Sequence, residues 1–317
     1  LLFLSITIAF IDIKLIYRYA YILFILSLLL LSSVELIGVF GKGATRWINV
    51  LGLSLQPSEL IKITIIIALA RFYHDLKFGE IKSIINLFFP FLILFIPFIL
   101  VVIQPDLGTA LSILILGILI LFASGIRIWK FAIGFVVVIS SVPILLNLLK
   151  PYQKNRIISF LNPEDDALGS GYQLIQSKIA LGSGGFTGKG FLEGTQSYLQ
   201  YLPEKQTDFI FTLIGEEFGF IGTVFIIFLY LLLISICFYV SIKSNHIFGR
   251  LLSIGIGTNI FIYVIMNISM VSGLMPVVGI PLPLVSYGGS AMLSIMISIG
   301  LVLNMELNAN VKKLNNA

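Results

Sequence analysis

Apolar runs about as long as a bilayer crossing, separated by short charged turns, fill most of this chain. Leu1 to Ile11 reads as the tail of a first span. Tyr19 to Ile37 is the next, with Glu35 near its end, and Leu51 to Ala70 follows with Glu59 and Lys62 inside it. Ser83 to Gln104, Leu107 to Gly125 and Phe131 to Leu149 come after. Phe209 to Ile242 makes one long span, interrupted by Glu216-Glu217. The uncharged stretch Leu251 to Met305 is too long for one crossing, and Pro276, Gly279, Pro281 and Pro283 divide it into two. The pattern predicts eight crossings after the partial first one. A polar island of 57 residues, Lys150 to Gln206, interrupts it, and Thr207-Asp208-Phe209 then places a carboxylate at the head of an apolar helix. A long loop beside a membrane-edge Asp points to chemistry at a bilayer surface rather than simple anchoring.

Composition narrows the class. The chain is 58% apolar and 11% charged, with a mean hydropathy of +1.06, whereas a soluble domain carries about 25% charged residues. It is expected to be an all-α polytopic membrane protein, one integral domain over 1–317 with an extracytoplasmic loop at 150–206. A β-barrel would show alternating segments of ~10 residues instead. A net charge of +5 implies no nucleic-acid partner. The single Cys237 lies in an apolar span, which excludes a disulfide framework and a thiolate metal site. His74 and His246 fall in separate polar turns, are expected to be solvated, and do not suggest a metal site. No metal motif appears, although a divalent cation remains compatible with the chemistry argued below. Because the chain opens Leu-Leu-Phe inside an apolar run, it is expected to lack a native N-terminus.

Basic residues in short loops set the orientation. Lys14, Arg18, Arg71, Lys77, Lys82, Arg127, Lys130, Lys243, Arg250, Lys312 and Lys313 fall on one side, against Lys42 and Arg46 on the other. The C-terminus is therefore expected in the cytoplasm. The island, Asp106, Asp208 and the Pro-rich break then face outward.

Several residues could carry chemistry. Two readings of Asp208 stand side by side: a helix N-cap, and a general base at the outer face that takes a proton from a hydroxyl nucleophile. Both hold if Thr207 caps and Asp208 points into a cleft. The i,i+3 spacing of Glu59 and Lys62 puts them on one helix face. A lone charge at bilayer depth costs about 2.5–3.5 kcal/mol, so pairing is the expected compensation. They form either a structural ion pair at a polar cavity or a cavity floor whose Lys meets a phosphate. In the Gln104 to Thr109 turn, Asp106 could cap the next helix. Arg46 beside Trp47 is an interfacial anchor or an anionic headgroup contact. Gly182 to Gly190 looks like a phosphate loop but lacks Gly at Ser183 and a hydroxyl residue at Gly190. Flexible turns are expected there, with N–H groups and Lys189 available to an anion. Tyr172 to Leu181 has helical apolar spacing.

Asn267 to Ala291 combines Gly273-Leu274-Met275-Pro276, Gly279-Ile280-Pro281-Leu282-Pro283 and Ser286-Tyr287-Gly288-Gly289-Ser290. Broken backbone at membrane depth persists only when buried in protein or lining a wet cavity. Ser286, Tyr287 and Ser290 are therefore candidates for substrate contact.

This stretch resembles the signature of the SEDS family (shape, elongation, division and sporulation), membrane glycosyltransferases of bacterial cell-wall synthesis. Its Ile280-Pro281-Leu282-Pro283 form looks like the RodA type rather than the FtsW type. Gln56-Pro57-Ser58-Glu59, Gln104 to Thr109, Gly171 to Gly190 and Leu202 to Phe209 also look like RodA blocks. The resemblance implies ten spans, with the first and most of the second missing here. It implies polymerisation of lipid II at the outer membrane face, with release of undecaprenyl pyrophosphate. Asp208 would be the required base for the acceptor 4-hydroxyl, and Glu59 and Lys62 the family's buried pair. Arg46, Lys178, Lys189 and Lys205 are weaker candidates for pyrophosphate contact. The implied partner is a class B penicillin-binding protein, within membrane lipid. A lipid II flippase and a non-catalytic scaffold are the rivals. Leu107 to Gly125 and Phe131 to Leu149 offer none of the polar residues that an inner transport pathway needs, and a scaffold has no use for Asp208.

Overall fold

In this computed structural model the described residues are 1–41, 44–50, 53–77, 83, 85–134, 136, 140, 151–166, 169–198, 202 and 204–309. The elements run α1 Leu2–Ala9, α2 Ile13–Ile37, β1 Val39–Gly41, β2 Ala44–Val50, β3 Leu53–Leu55, α3 Pro57–Asp75, α4 Phe88–Ile103 and α5 Leu107–Ala123. After a helical piece at 128–134 come α6 Pro151–Leu161, α7 Ser170–Ser183, α8 Thr195–Tyr198, α9 Ile210–Lys243, α10 Ile247–Val271 and α11 Gly289–Leu307. The expected span Phe131 to Leu149 lies mostly outside the described residues.

Among the described residues, five helical segments are long and apolar enough to cross a bilayer: Ile13–Leu36, Ile85–Ile103, Ile210–Lys243, Ile247–Val271 and Gly289–Leu307; α5 is a shorter apolar helix. The final uncharged stretch divides into two helices around a break, as its Pro and Gly content predicts. One expected span is different: within Leu51 to Ala70, Leu53–Leu55 is a strand and the helix begins only at Pro57. Residues 44–50 and 53–55 pair as antiparallel strands, with Ile48 opposite Leu55 and Val50 opposite Leu53. Proline is favoured in the first turn of a helix, and Pro57 opens α3 directly after the strand at 53–55.

The chain gathers into two compact units, 1–126 with 232–262 and 288–317, and 127–231 with 263–287. In the first unit, α3 is the core helix. Ile61, Ile65, Ile66, Ala68, Leu69 and Ala70 are fully buried, so protein rather than lipid surrounds its charges. The Ser27 and Thr64 hydroxyls meet at 2.6 Å between α2 and α3. Asn304 Nδ2 lies 3.0, 3.0 and 2.6 Å from the carbonyl oxygens of Ile8, Ala9 and Ile11, which closes the open end of α1. The histidines expected in solvated turns instead pack together here. Their rings are 6.4 Å apart, and His246 is buried. Its Nδ1 accepts the Gly249 N–H at 2.8 Å and caps α10. Burial and the neighbouring His74 pull its pKa down to about 4.

In the second unit, the polar island is substantially helical, and α7 forms where the apolar spacing predicts it. The break in α9 falls at Gly219 (φ 65°, ψ −158°), two residues beyond Glu217, a conformation available essentially only to glycine. The Gly-rich loop fills the break. Lys189 and Gly190 donate N–H to the carbonyl oxygens of Glu216 and Glu217 at 3.0 and 3.1 Å. Phe220 and Ile221 donate to Gly185 and Phe186 at 3.0 and 3.2 Å. Helix backbone exposed by a break at membrane depth needs such partners. These loop N–H groups, expected to be available to an anion, are thus engaged by peptide carbonyls.

Candidate active site

Asp208 sits in the turn leading into α9 and is partly exposed. The helix α10 and the segment that follows it satisfy three successive carbonyls of that turn. The Tyr287 N–H donates to Gln206 O at 2.9 Å. Ser286 Oγ donates to Thr207 O at 2.5 Å and accepts the Leu282 N–H at 2.7 Å. Asn267 Nδ2 donates to Asp208 O at 2.8 Å and to Ile280 O at 2.7 Å. The Thr207 hydroxyl donates to the Glu204 carboxylate at 2.8 Å. Gly279 faces the Asp208 carboxylate: a Cβ there would lie 3.1 Å from Oδ2, and its φ of +71° disfavours a side chain as well. Leu284 in the same break has φ 62°, a strained state for a residue with a Cβ that is typical of functional segments. Tyr230 OH donates to Pro283 O and holds the far side of the break. A carboxylate on a turn held at three points, beside a glycine, suits a general base.

The other candidates divide by unit. In the first unit, Lys62 Nζ meets Glu59 Oε1 at 2.8 Å, and both side chains are almost completely buried. Ser294 donates to Glu59 Oε2 at 3.4 Å. Ser290 is buried one turn earlier on α11, with a hydroxyl that has no partner among the described residues. Arg46 reaches the Gln104 to Asp106 turn: its guanidinium donates to Pro105 O, and Nε lies 3.8 Å from Asp106 Oδ2. Asp106 caps α5 as expected, accepting from Thr109 N at 3.3 Å and Thr109 Oγ1 at 2.9 Å.

In the second unit, Lys189 Nζ bonds Glu216 Oε1 at 2.8 Å. The same oxygen accepts from Gln196 N at 3.0 Å and Thr195 Oγ1 at 3.2 Å. Lys178 is exposed on α7, its stem against Gly273, where a Cβ would lie 2.0 Å from Cε. Lys205 lies three residues before Asp208 and is partly exposed, and the Tyr287 ring is 78% exposed. Among the described residues, no group of three or more His, Cys, Asp or Glu could hold a metal ion. The sequence marked the Asn267 to Ala291 segment but not the bridging role of Asn267. The available signal was an amide within the apolar run of α10, which needs a partner at that depth.

The FtsW/RodA/SpoVE family of cell cycle proteins matches residues 2–311. The chain belongs to this family. Among its relatives is the peptidoglycan glycosyltransferase MrdB of Escherichia coli K12, 43% identical over 286 residues that cover 90% of this chain and 76% of MrdB. A solved chain from a study titled "Structural coordination of polymerization and crosslinking by a peptidoglycan synthase complex" is similar with a TM-score of 0.84 at 32% identity, covering 98% of this chain and 87% of the other. The crystal structure of the rod shape determining protein RodA from Thermus thermophilus is similar with a TM-score of 0.72 at 26% identity, covering 98% and 84%. This FtsW/RodA/SpoVE chain is accordingly an all-α, multi-pass membrane protein.

Proposed function

We propose that the protein is a peptidoglycan glycosyltransferase of cell elongation and rod shape. It polymerises lipid II at the outer face of the bacterial cytoplasmic membrane, with its C-terminus in the cytoplasm and residues 1–317 acting as one membrane domain. The observation that carries this reading is the clamped turn that presents Asp208 beside Gly279. Asp208 takes the proton from the acceptor 4-hydroxyl as its oxygen attacks the donor anomeric carbon. The bond from that carbon to the pyrophosphate oxygen breaks, and undecaprenyl pyrophosphate leaves. Cationic groups stabilise the developing charge. Lys178, Lys189 and Lys205 share a compact unit with Asp208 and retain some exposure, Lys178 the most. Lys189 is committed to Glu216, and Arg46 to the Asp106 turn, so we assign both a supporting role first. Ser286 acts mainly through Thr207, whereas the exposed Tyr287 ring can touch substrate. Glu59, Lys62 and Ser290 contribute a polar floor in their own unit. The partner is a class B penicillin-binding protein, in keeping with the synthase complex that contains a related chain. Lipid II polymerisation by the purified protein with its partner, native against Asp208→Ala, tests the assignment. Polymer from native protein and none from the variant is expected; equal polymer from both removes Asp208 from the chemistry.

A further inference from the structure

We propose that Asn267 is a positioning residue for the Asp208 carboxylate, a role that rests on the reading of Asp208 as the base. Asn267 is fully buried in the apolar helix α10. Its Nδ2 carries two N–H groups, and both are used: one to Asp208 O at 2.8 Å and one to Ile280 O at 2.7 Å. The two acceptors belong to segments far apart in sequence, and a single planar amide nitrogen sets the distance between them. Ile280 follows Gly279, the residue whose Cα faces the Asp208 carboxylate. One amide group therefore determines how far the base stands from the backbone it faces.

Two further observations argue for function rather than fold alone. Asn267 Oδ1 is buried with no partner among the described residues, and such an orphan acceptor destabilises the fold. What the amide contributes at this position is therefore its two N–H bonds, to Asp208 O and Ile280 O. On the other flank of the break, Met270 Sδ accepts both the Val278 and the Gly279 N–H at 3.3 Å. Gly279 is thus fixed from one side by a thioether and from the other, through Ile280, by Asn267.

Loss of the bridge lets the base drift relative to its acceptor. A misplacement of about 1 Å costs about 100-fold in rate, without changing how the substrate's remote parts bind. The test compares native protein, Asn267→Ala, Asn267→Ser and Asp208→Asn in the full-length chain with its partner. It measures kcat per folded molecule and KM for lipid II, together with thermal melting. For Asn267→Ala we expect kcat to fall by about 100-fold with KM within about twofold. Asn267→Ser, with a single short donor, should fall between. Native kcat in folded Asn267→Ala, while Asp208→Asn is inactive, overturns the positioning role and leaves the base intact. A loss confined to melting temperature or folded yield, in one variant or in both, assigns Asn267 to folding and also overturns it. Full activity in Asp208→Asn would instead remove the reading on which this inference rests.

Discussion

Replacing Lys189 by Met should open the seal over the break in α9. The Glu216 carboxylate is 1% exposed, and its Oε1 accepts from Lys189 Nζ at 2.8 Å, Gln196 N at 3.0 Å and Thr195 Oγ1 at 3.2 Å. Deleting one partner of a fully buried ion pair costs about 3–5 kcal/mol. Lys189 is 25% exposed, so water can partly replace it, and a charge-assisted hydrogen bond of about 1.5–3 kcal/mol is the better scale. Because Thr195 and Gln196 N remain, about 2 kcal/mol is expected. Glu216→Gln should cost less, since it keeps an acceptor of the same size and removes the buried charge. The double variant should fall short of the summed single losses by about 1 kcal/mol or more, because the residues are in contact. Hydrogen exchange in detergent reads this locally. The amides of Lys189, Gly190, Phe220 and Ile221 donate across the break, and all four should lose protection together in Lys189→Met. Unchanged protection at these amides, with stability within about 0.5 kcal/mol of native, would refute the idea that the ion pair holds the loop against the helix.

Other changes test other parts of the structure. Glu59→Gln and Lys62→Met should each lower folded yield more than the double change, because either alone strands a charge in the core of the first unit; equal yields for all three would show that the pair does not interact. Gly188→Ala places a Cβ 2.1 Å from Glu217 O at φ +84°, so it should destabilise by about 2 kcal/mol or more, whereas Gly182→Ala meets open space in α7 and should be neutral or stabilising in the same melting assay. The His246 pKa is depressed from 6.5 to about 4, so the unfolded chain binds the extra proton. Stability should be fully present above about pH 6.5 and fall as pH drops toward 4, at up to about 1.4 kcal/mol per pH unit. His246→Asn, an equally good cap, should flatten that acid-side slope of melting temperature against pH, and an unchanged slope would exclude His246 as its source.

Apolar length and the Pro-Gly cluster after α10 made most of the helical architecture legible, because a bilayer demands long uncharged runs and such a cluster interrupts them, whereas the single Pro97 is carried inside α4. The i,i+3 pairing of Glu59 with Lys62 and the Asp106 cap follow from local spacing and were readable for the same reason. Long-range backbone satisfaction was not. Nothing local in Gly182 to Gly190 says that its amides will fill a break more than 25 residues away at Gly219. Loop N–H groups suit any acceptor, and tertiary proximity chose peptide carbonyls over an anion. The strand at 53–55 was hidden in an apolar run that fits a sheet as well as a span, and the strand at 44–50 was hidden because Thr45, Arg46 and Trp47 read as an outer loop. His246 misled through its polar neighbours, since capping with a ring nitrogen lets it be buried neutral. At the candidate site, the sequence pointed to Asp208 and to the Pro-Gly break, but only coordinates show Asn267, Ser286 and the Tyr287 amide holding successive carbonyls of one turn.

The central claim is that Asp208 acts as a base rather than as a structural cap. Asp208→Asn keeps the size and capping ability of the side chain and removes its basicity. General base catalysis contributes about 10²–10⁴-fold. The decisive measurement is undecaprenyl pyrophosphate release from lipid II by the folded, partner-bound variant at saturating substrate. A loss of at least about 100-fold, with native melting temperature and native partner binding, is the predicted result. Release at the native rate from that same complex would contradict the account.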